Sequence, residues 1–354
     1  MLLAIAVGSL LALPLSGAVV ARIGSRRTVT AMALLMSAGL AVVAVGYLRG
    51  VVPLVIGLFV LGFANGAWDV AMNVQGAVVE RRLGRSIMPR FHAGFSLGTV
   101  AGALLGAAAV ALQVAVTVHL LLVAAAVGVA VTLGTQRFLP DHEQAPADTG
   151  DPAEGAASAG RRHSPLAAWR EPRTLGIGAC VLAFAFAEGT GTDWISVAAI
   201  DGYGVPPALG TLAFATFLAA MTVGRWYGPA LLDRHGRVPV VRGLAGLGVA
   251  GSLLFVFAPT APVAYVGALL WGAGTSLGFP VGMSAAADDP LRAAGRVSVV
   301  ASIGYCAFLA GPPLIGFLGD RLGVLRALTA VVALLVLSTL ASGSLRPPRE
   351  TAQR

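Results

Sequence analysis

The sequence predicts an all-α protein that crosses a membrane many times. Its 354 residues are 57% hydrophobic and only 11% charged, whereas soluble globular proteins are about 25% charged. The apolar residues form runs of about 20, the length that crosses a bilayer core of about 30 Å. Strands are not expected, because open sheet edges cannot face lipid and these runs are too uniformly apolar for a barrel. The composition excludes a soluble enzyme, a nucleic-acid-binding domain and a disordered chain.

Eleven apolar segments are long enough to span the bilayer. They are expected near 2–20, 28–48, 52–78, 91–112, 115–136, 174–198, 207–231, 239–257, 261–285, 297–318 and 323–344. A polar stretch rich in Ala, Gly, Asp and Glu separates the fifth segment from the sixth, and it predicts a flexible linker rather than a domain. The chain therefore divides into an N-terminal half (1–136), a central linker (137–173) and a C-terminal half (174–354).

The basic residues predict which loops face the cytoplasm. All 24 are Arg, and most of them follow the first, third, fifth, seventh and ninth segments or end the chain. This alternation is the positive-inside pattern, and it accounts for the net charge of +8 without a nucleic-acid partner. The linker and the C-terminus are therefore expected in the cytoplasm. Arg49, Arg321 and Arg326 are exceptions that short outer loops tolerate.

The two halves resemble each other, as in transporters that are built from repeats with a substrate site between them. Equal spacings of +6 and +8 occur in two triplets, namely Arg90, Ser96 and Gly98, and Arg296, Ser302 and Gly304. The first half has five segments and the second has six. By the charge pattern Met1 starts outside, and no positively charged region precedes the first segment as a signal peptide requires. A first helix upstream of Met1 is therefore expected.

The loop after the first segment carries a family resemblance. It reads Gly17-Ala18-Val19-Val20-Ala21-Arg22-Ile23-Gly24-Ser25-Arg26-Arg27. It resembles the major facilitator superfamily motif of Gly, an acidic residue four positions later, and Arg-x-Gly-Arg-Arg. Ala21 replaces the acid, whereas the counterpart after the seventh segment keeps it. In that family the motif latches the two halves together, which implies a cytoplasmic gate at Gly17, Gly24, Arg26, Asp233, Arg234, Gly236 and Arg237. The resemblance implies that family's fold, twelve helices minus the first.

Asp69 is the leading candidate for chemistry within the membrane. It lies about 15 Å from the end of its segment at about 1.5 Å per residue, at a depth where an ionisable side chain marks a functional site by default. Asn65 and Asn73 share its helix face, and Gln75 is a weaker candidate. The polar stripe indicates an interior cavity, with an interhelical hydrogen bond or a buried ion pair as the structural alternative. The Asp69–Asn73 step resembles helix 4 of the fucose:proton symporter family, which implies a role in proton coupling and sugar binding.

Glu188 is the second candidate. A Glu followed six residues later by Trp194 resembles helix 7 of the same symporter family. Gly189 and Gly191 are expected to break the helix, and such breaks usually line a cavity. Trp194 fits a membrane-interface position as well as a solute site. Arg225 has two candidate partners, a cavity acid or the cytoplasmic latch, and the latch is favoured.

Three further signals limit the functional classes. Gly94-Phe95-Ser96-Leu97-Gly98 matches the elbow of hydrolases, but that elbow follows a strand and this one opens an apolar segment. Gly98, Gly102 and Gly106 recur every four residues and are expected to let helices approach closely. A chain without Lys has no phosphate-binding loop of the usual kind, so ATP drive is not expected. No cofactor and no metal site are expected.

These observations predict a secondary transporter rather than an enzyme. The resemblance implies a monomer in a bacterial inner membrane that moves a sugar-like or other small polar solute with a proton. Alternating access would take place about a central site, with Glu188 facing Asp69 and with Asn65, Asn73 and Trp194 binding solute. Proton-driven efflux of a drug or metabolite is one alternative. A non-transporting or inactive truncated membrane paralogue is an alternative of another class.

Overall fold

A computed structural model describes residues 3–141 and 165–348, and it confirms the all-α fold. Within those ranges it contains eleven helical spans that are long and apolar enough to cross a membrane, and no strand. The middle of the predicted linker, 142–164, lies outside the described residues together with Arg161 and Arg162. The polar and charged residues that flank each apolar segment lie at the helix ends, so hydropathy located every span.

The first described range contains five helices. They are α1 (Leu3–Ile23), α2 (Ser25–Arg49), α3 (Val51–Leu83), α4 (Met88–Ala111) and α5 (Val116–Gly134). The second range contains α6 (Pro172–Tyr203), α7 (Pro207–His235), α8 (Arg237–Phe257), α9 (Ala261–Thr275), α10 (Gly278–Ala286), α11 (Ala293–Leu322), α12 (Val324–Ala327) and α13 (Thr329–Ala341). Short 3₁₀ turns occupy Thr135–Arg137, Pro165–Arg170 and Ser342–Leu345.

The segment predicted at 261–285 is two helices. α9 ends at Thr275 and α10 begins at Gly278. Pro280 has no backbone N–H, so it cannot donate to the carbonyl of Ser276 four residues earlier. Gly278 and Pro280 together explain why the helix is interrupted at this point, and the interruption leaves one carbonyl available for another donor.

The predicted break at Gly189 and Gly191 is wrong, since α6 continues through both residues. The two glycines make room for aromatic rings instead. A Cβ at Gly191 would lie 2.6 Å from the ring of Phe217, and one at Gly189 would lie 2.9 Å from the ring of Phe308. Gly is therefore required here for close packing, and the helical hydrogen bonds on either side keep the helix intact.

Two glycines at corresponding places in the sequence make the same turn. Gly24 joins α1 to α2 with φ of 82°, and Gly236 joins α7 to α8 with φ of 79°. A side chain is strained in this left-handed region, and Gly is not. Each amide donates to the carbonyl four residues earlier, at 2.9 Å for Gly24 and 2.8 Å for Gly236. The internal repeat that was inferred from sequence thus includes a shared backbone conformation.

One compact unit comprises Met1–Val79, Val114–Thr174 and Ala286–Val299. In this unit α2 packs along α5, and α1 approaches α3 backbone to backbone. A Cβ at Gly62 would lie 1.9 Å from the carbonyl oxygen of Ile5. Ser9 Oγ donates to the carbonyl of Gly62 at 2.8 Å across the same contact. Small residues therefore set the distance between these two helices.

A second compact unit comprises Glu80–Gln113, Leu175–Ala285 and Val300–Arg354. In this unit α9 packs against α7 and α8, α13 packs on α8, and α4 packs on α7. Trp271 is fully buried, with its ring edge-on to Phe217 at 5.8 Å and to Phe255 at 6.1 Å. The division of the chain at 1–136, 137–173 and 174–354 stays a prediction.

The glycine stripe of α4 does not bring helices together as its spacing predicts. No described atom outside the helix lies within 4 Å of a Cβ built at Gly98, Gly102 or Gly106. Spacing identifies residues that permit close approach, but a neighbouring helix must also be present. Gly62 and Gly98 therefore form a matched pair, one in a tight contact and one open.

We expect Gly62→Ala to lower the melting temperature of the detergent-purified protein, since the added methyl would clash with backbone that no side-chain rotation can move. Overpacking of this kind usually destabilises by about 1–3 kcal/mol. Gly98→Ala is the control and should melt at or slightly above the wild-type temperature, because Ala favours helix. Equal melting temperatures for the two variants would contradict the close α1–α3 contact.

Candidate functional site

Asp69 and Asn73 meet on one face of α3, as their spacing predicts. Asn73 is 1% exposed, and its Nδ2 donates to the Asp69 carbonyl at 2.9 Å and to Asp69 Oδ1 at 3.3 Å. Asp69 Oδ2 is buried and accepts no hydrogen bond from the described residues. Asn65 lies one turn earlier with its side chain exposed. A buried carboxylate oxygen without a donor is costly when it is charged, so this oxygen suits a proton or an incoming donor.

Glu188 forms a buried ion pair with Arg225, the partner that the sequence disfavoured for this arginine. Nη2 of Arg225 donates to both carboxylate oxygens of Glu188, at 2.8 and 2.7 Å. The side chain of Arg225 is 4% exposed and that of Glu188 is 15% exposed. Both residues lie in helices that are apolar enough to span a membrane. Removing either partner would leave the other charge buried and uncompensated.

Two further contacts fix the guanidinium of Arg225. Its Nε donates to the carbonyl of Ser276 at 3.2 Å, and its Nη1 donates to Ser96 Oγ on α4 at 3.2 Å. The Ser276 carbonyl is the one that lacks a helical donor because of Pro280. The break between α9 and α10 thus supplies an acceptor for the arginine, so a local sequence feature positions a charge on another helix.

Trp194 does not lie with Glu188 in this structure. Six residues turn an α-helix by about 240°, which places the two side chains on different faces of α6. The ring of Trp194 lies beside Gly316 of α11, where a Cβ would be 3.6 Å away. Its Nε1 and the Oγ1 of Thr190, one turn earlier, are buried without a hydrogen-bond partner among the described residues.

Two carboxylates hold the loop between α3 and α4. Asp233, the acid kept in the second gate motif, accepts the backbone N–H of Ser86 at 2.9 Å. Glu80 Oε1 accepts the N–H groups of Ile87 at 2.7 Å and Met88 at 2.9 Å, where α4 begins. Its Oε2 accepts a hydrogen bond from Ser284. These carboxylates satisfy amides that a helix start leaves without intrahelical acceptors.

The first gate motif lacks an acid at Ala21, and a distant acid reaches the same turn. Asp141 Oδ2 accepts the backbone N–H of Ser25 at 2.5 Å, and Oδ1 accepts from Ser25 Oγ. With its amide oriented to suit its neighbours, Gln75 donates from Nε2 to Ser25 Oγ at 2.8 Å and to the Leu139 carbonyl at 3.2 Å. That orientation lets the single hydroxyl proton of Ser25 go to Asp141. The start of α2 is therefore capped from the segment after α5.

Gly17 allows α1 to touch the first turns of α11. A Cβ at Gly17 would lie 2.9 Å from the carbonyl oxygen of Ala294 and 2.9 Å from Cβ of Ser298. Ser298 Oγ donates to the Leu13 carbonyl at 2.5 Å beside this contact. The remaining gate residues lie at or near the ends of the two helix–helix turns, with Arg26 and Arg234 exposed and Arg237 half-buried.

Comparison with known proteins decides the family. The model of the Major Facilitator Superfamily matches residues 1–309 of this chain. The chain belongs to the major facilitator superfamily. Similar proteins include an uncharacterized MFS-type transporter, YPO1221/y2967, of Yersinia pestis, with 30% identity over 97% of this chain and 84% of the relative. The uncharacterized transporter y4wD of Sinorhizobium fredii is 31% identical over 94% of this chain and 87% of its own length. Membrane protein MosC of Rhizobium meliloti is 27% identical over 97% of this chain and 80% of its own length.

Solved structures of major facilitator proteins share the fold. The outward conformation of the transporter FucP has a TM-score of 0.77 at 13% identity, over 97% of this chain and 89% of that one. The human organic anion transporter MFSD10 has a TM-score of 0.74 at 20% identity, over 96% of this chain and 82% of that one. The predicted membership in this family and the all-helical fold are confirmed, and the chain is a membrane transporter by family. At these identities the likeness to the structures supports the fold alone.

Glu80, Asp141 and the pairing of Arg225 are what sequence reasoning missed in this major facilitator protein. Glu80 stands among arginines at the end of α3, and an acid a few residues before a helix start is a signal that could have found it. Asp141 follows α5 in the sequence. It is 116 positions from its partner Ser25, and nothing in the sequence links the two. The Arg225 pair needed the packing of α6, α7 and α9 to be known.

A cluster of ion pairs surrounds the start of α6, and its central acid, Glu171, precedes the span that begins at Pro172. Glu171 Oε2 contacts Arg296 Nε at 2.6 Å and accepts from Thr174 at 2.8 Å. Arg173 pairs with Asp288 at 2.6 Å. Burial raises the pKa of Glu171, but the hydrogen bonds from Arg296 and Thr174 and the charges of the nearby arginines outweigh it, so the pKa lies below its usual range. Glu171 is therefore ionised in the folded protein.

We expect the pair of Glu188 and Arg225 to behave as a unit in stability measurements. Arg225→Met alone should lower the melting temperature strongly, because losing one partner of a buried pair costs about 3–5 kcal/mol. The double variant Glu188→Gln/Arg225→Met leaves no charge unpaired and should recover most of the loss. A single variant that melts like wild type would contradict the buried pair.

We expect the stabilising effect of Glu171 to disappear in acid. Because its folded-state pKa is lowered, its contribution is present above the unfolded-state pKa and is lost as pH falls through the folded-state value. Glu171→Gln should therefore melt below wild type at about pH 7, and the gap should narrow toward about pH 4. The control is Asp201→Asn, which changes an exposed acid near the end of α6. It should melt at the same temperature as wild type. A gap that persists unchanged in acid would rule out the ionised pair.

Proposed function

We propose that this major facilitator protein is a secondary transporter that moves a small polar solute together with a proton by alternating access. The observation that carries the proposal is the bare Oδ2 of Asp69, a buried carboxylate oxygen inside a membrane-capable helix without a hydrogen bond from the described residues. The membership in a transporter family supports the transport function, and Asp69 supports the choice of a proton as the coupling ion.

The two oxygens of Asp69 have different tasks in this proposal. Oδ1 is oriented by Asn73, which leaves Oδ2 to take the proton. A protonated carboxyl is tolerated at a buried position far better than a carboxylate. When the site opens to water, hydration stabilises the carboxylate and the proton leaves. Coupling follows because the buried, closed state favours the protonated form.

Asn65, Asn73 and Trp194 are proposed to bind the solute. The amides of the two asparagines can donate and accept, as hydroxyl groups of a sugar-like solute require, and Asn65 is exposed on the Asp69 face. The indole of Trp194 offers an apolar ring face and an N–H that lacks a partner among the described residues. The solved fucose:proton symporter FucP shares the fold, and a sugar-like solute is the first class to test.

The orientation in the membrane is part of the proposal. The arginine-rich helix ends, the linker at 137–173 and the C-terminus are assigned to the cytoplasmic side of a bacterial inner membrane, by the positive-inside pattern. The gate formed by Gly17, the turn glycines and Asp233 would close on that side. The halves at 1–136 and 174–354 are proposed to rock against each other in a monomer.

We expect Asp69→Asn to abolish solute-driven proton movement while expression and folding are retained. The amide has the shape of the carboxyl but takes up no proton. The measurement is pH recording in weakly buffered cells as sugars, sugar acids and small metabolites are added. A solute carried with protons makes the medium alkaline in wild type and leaves it unchanged in the variant.

The control is Asp193→Asn, which changes an exposed acid in α6 and should keep the signal. Unchanged proton flux in Asp69→Asn would overturn the coupling assignment. Acidification on adding a solute would instead indicate exchange of protons for solute in the direction of efflux. No pH change with any solute of the panel would contradict the proposed solute class.

A further inference from the structure

Arg225 is held in position by contacts other than Glu188. Its Nε is bonded to the Ser276 carbonyl and its Nη1 to Ser96 Oγ. These two acceptors lie on α4 and at the α9–α10 break, whereas Glu188 lies on α6. Loss of Glu188 from the guanidinium would therefore leave Arg225 anchored on two sides. A guanidinium fixed in this way presents its Nη2 edge as a preformed receptor for a carboxylate.

Glu188 occupies that receptor with a carboxylate of its own. Both of its oxygens accept from Nη2 of Arg225, which is a geometry that any carboxylate can reproduce. The more exposed member of the pair is the acid, at 15% against 4% for the arginine. The larger share of the pair's exposed surface therefore lies on the Glu188 side.

We propose that Arg225 binds the carboxylate of the transported solute, which takes the place of Glu188. This inference rests on the proposed transport function and names the class of solute, a small polar molecule with a carboxylate such as a sugar acid. The Glu188 carboxylate gives up its two hydrogen bonds to the guanidinium. The solute carboxylate then accepts the two Nη2–H groups. The proton that Asp69 takes up and the negative charge of the solute enter together, so one transport cycle moves no net charge.

The groups around Glu188 are compatible with this exchange. Arg225 faces it from α7. His92 of α4 lies one turn before Ser96, and its ring packs edge-on against Phe279 at 5.5 Å. On the α11 side the neighbour of Gly189 is Phe308, with the ring of Tyr305 at 6.0 Å from it. The carboxylates described in this unit outside α6 lie at the helix ends, so Glu188 is the acid that competes for the arginine.

The test is thermal stabilisation of the purified full-length protein by matched pairs of probes. Galacturonate is compared with galactose and glucuronate with glucose, since each pair differs only in a carboxylate in place of a hydroxymethyl group. We expect the acids to stabilise the protein and the neutral sugars to do so weakly or not at all.

Variants separate a solute site from a static ion pair. Glu188→Gln removes the competing carboxylate, so the acids should bind more tightly. Glu188→Gln/Arg225→Gln keeps the charge balance and should weaken acid binding about tenfold to a hundredfold, the loss of charge-assisted hydrogen bonds. Arg242→Gln is the matched control, since Arg242 bonds to Ser342 elsewhere in the same unit and should leave acid binding unchanged.

The wild-type comparison of each acid with its neutral partner does not depend on any variant folding. Equal stabilisation by both members of each pair, including none by either, would overturn the carboxylate assignment. Acid binding that survives in Glu188→Gln/Arg225→Gln would overturn it as well. Neutral sugars that drive proton flux through Asp69 would leave the proposed transport function standing while this inference fails, so the two failures are distinguishable.

Discussion

The constraint on which the rest of the molecule depends is that lipid offers no hydrogen bonds. Every backbone amide and carbonyl and every charge within the spans must find its partner in the protein. Pro280 shows how far the consequence reaches. It deprives the Ser276 carbonyl of its helical donor, Arg225 supplies a donor from another helix, and the buried arginine in turn requires the carboxylate of Glu188. One guanidinium thereby links a carbonyl left by a missing N–H to a buried ion pair.

Glycine determines where the helices lie, and so where those polar groups meet. Gly62 brings α1 onto α3, the helix that carries Asp69, and Gly191 lets the ring of Phe217 press against α6, the helix that carries Glu188. In a bilayer there is little hydrophobic gain when helices associate, so close packing of small residues matters more than in water. The open glycines of α4 show that the residue type alone does not produce a contact.

Carboxylates at the arginine-rich helix ends stabilise helix starts and loops. Glu80, Asp233 and Asp141 accept backbone N–H groups at helix starts and loops, and Glu171 pairs with Arg296. The first gate motif has Ala21 in place of an acid, and Asp141 supplies a carboxylate to the same turn. The first N–H groups of a helix need a hydrogen-bond acceptor close by in space. That acceptor can come from any part of the chain.

The sequence by itself determined the helical class, the eleven spans and the polar face of α3, because each depends on residues within a single helix. Apolar length reports bilayer thickness, and the spacing of Asp69 and Asn73 reports a shared helix face. It also located the turn glycines Gly24 and Gly236. Only the tertiary structure decided the partner of Arg225, the cap from Asp141 and the unbroken path of α6 through its glycines. Those depend on which helices pack together, and contacts between segments far apart in the chain leave no local pattern.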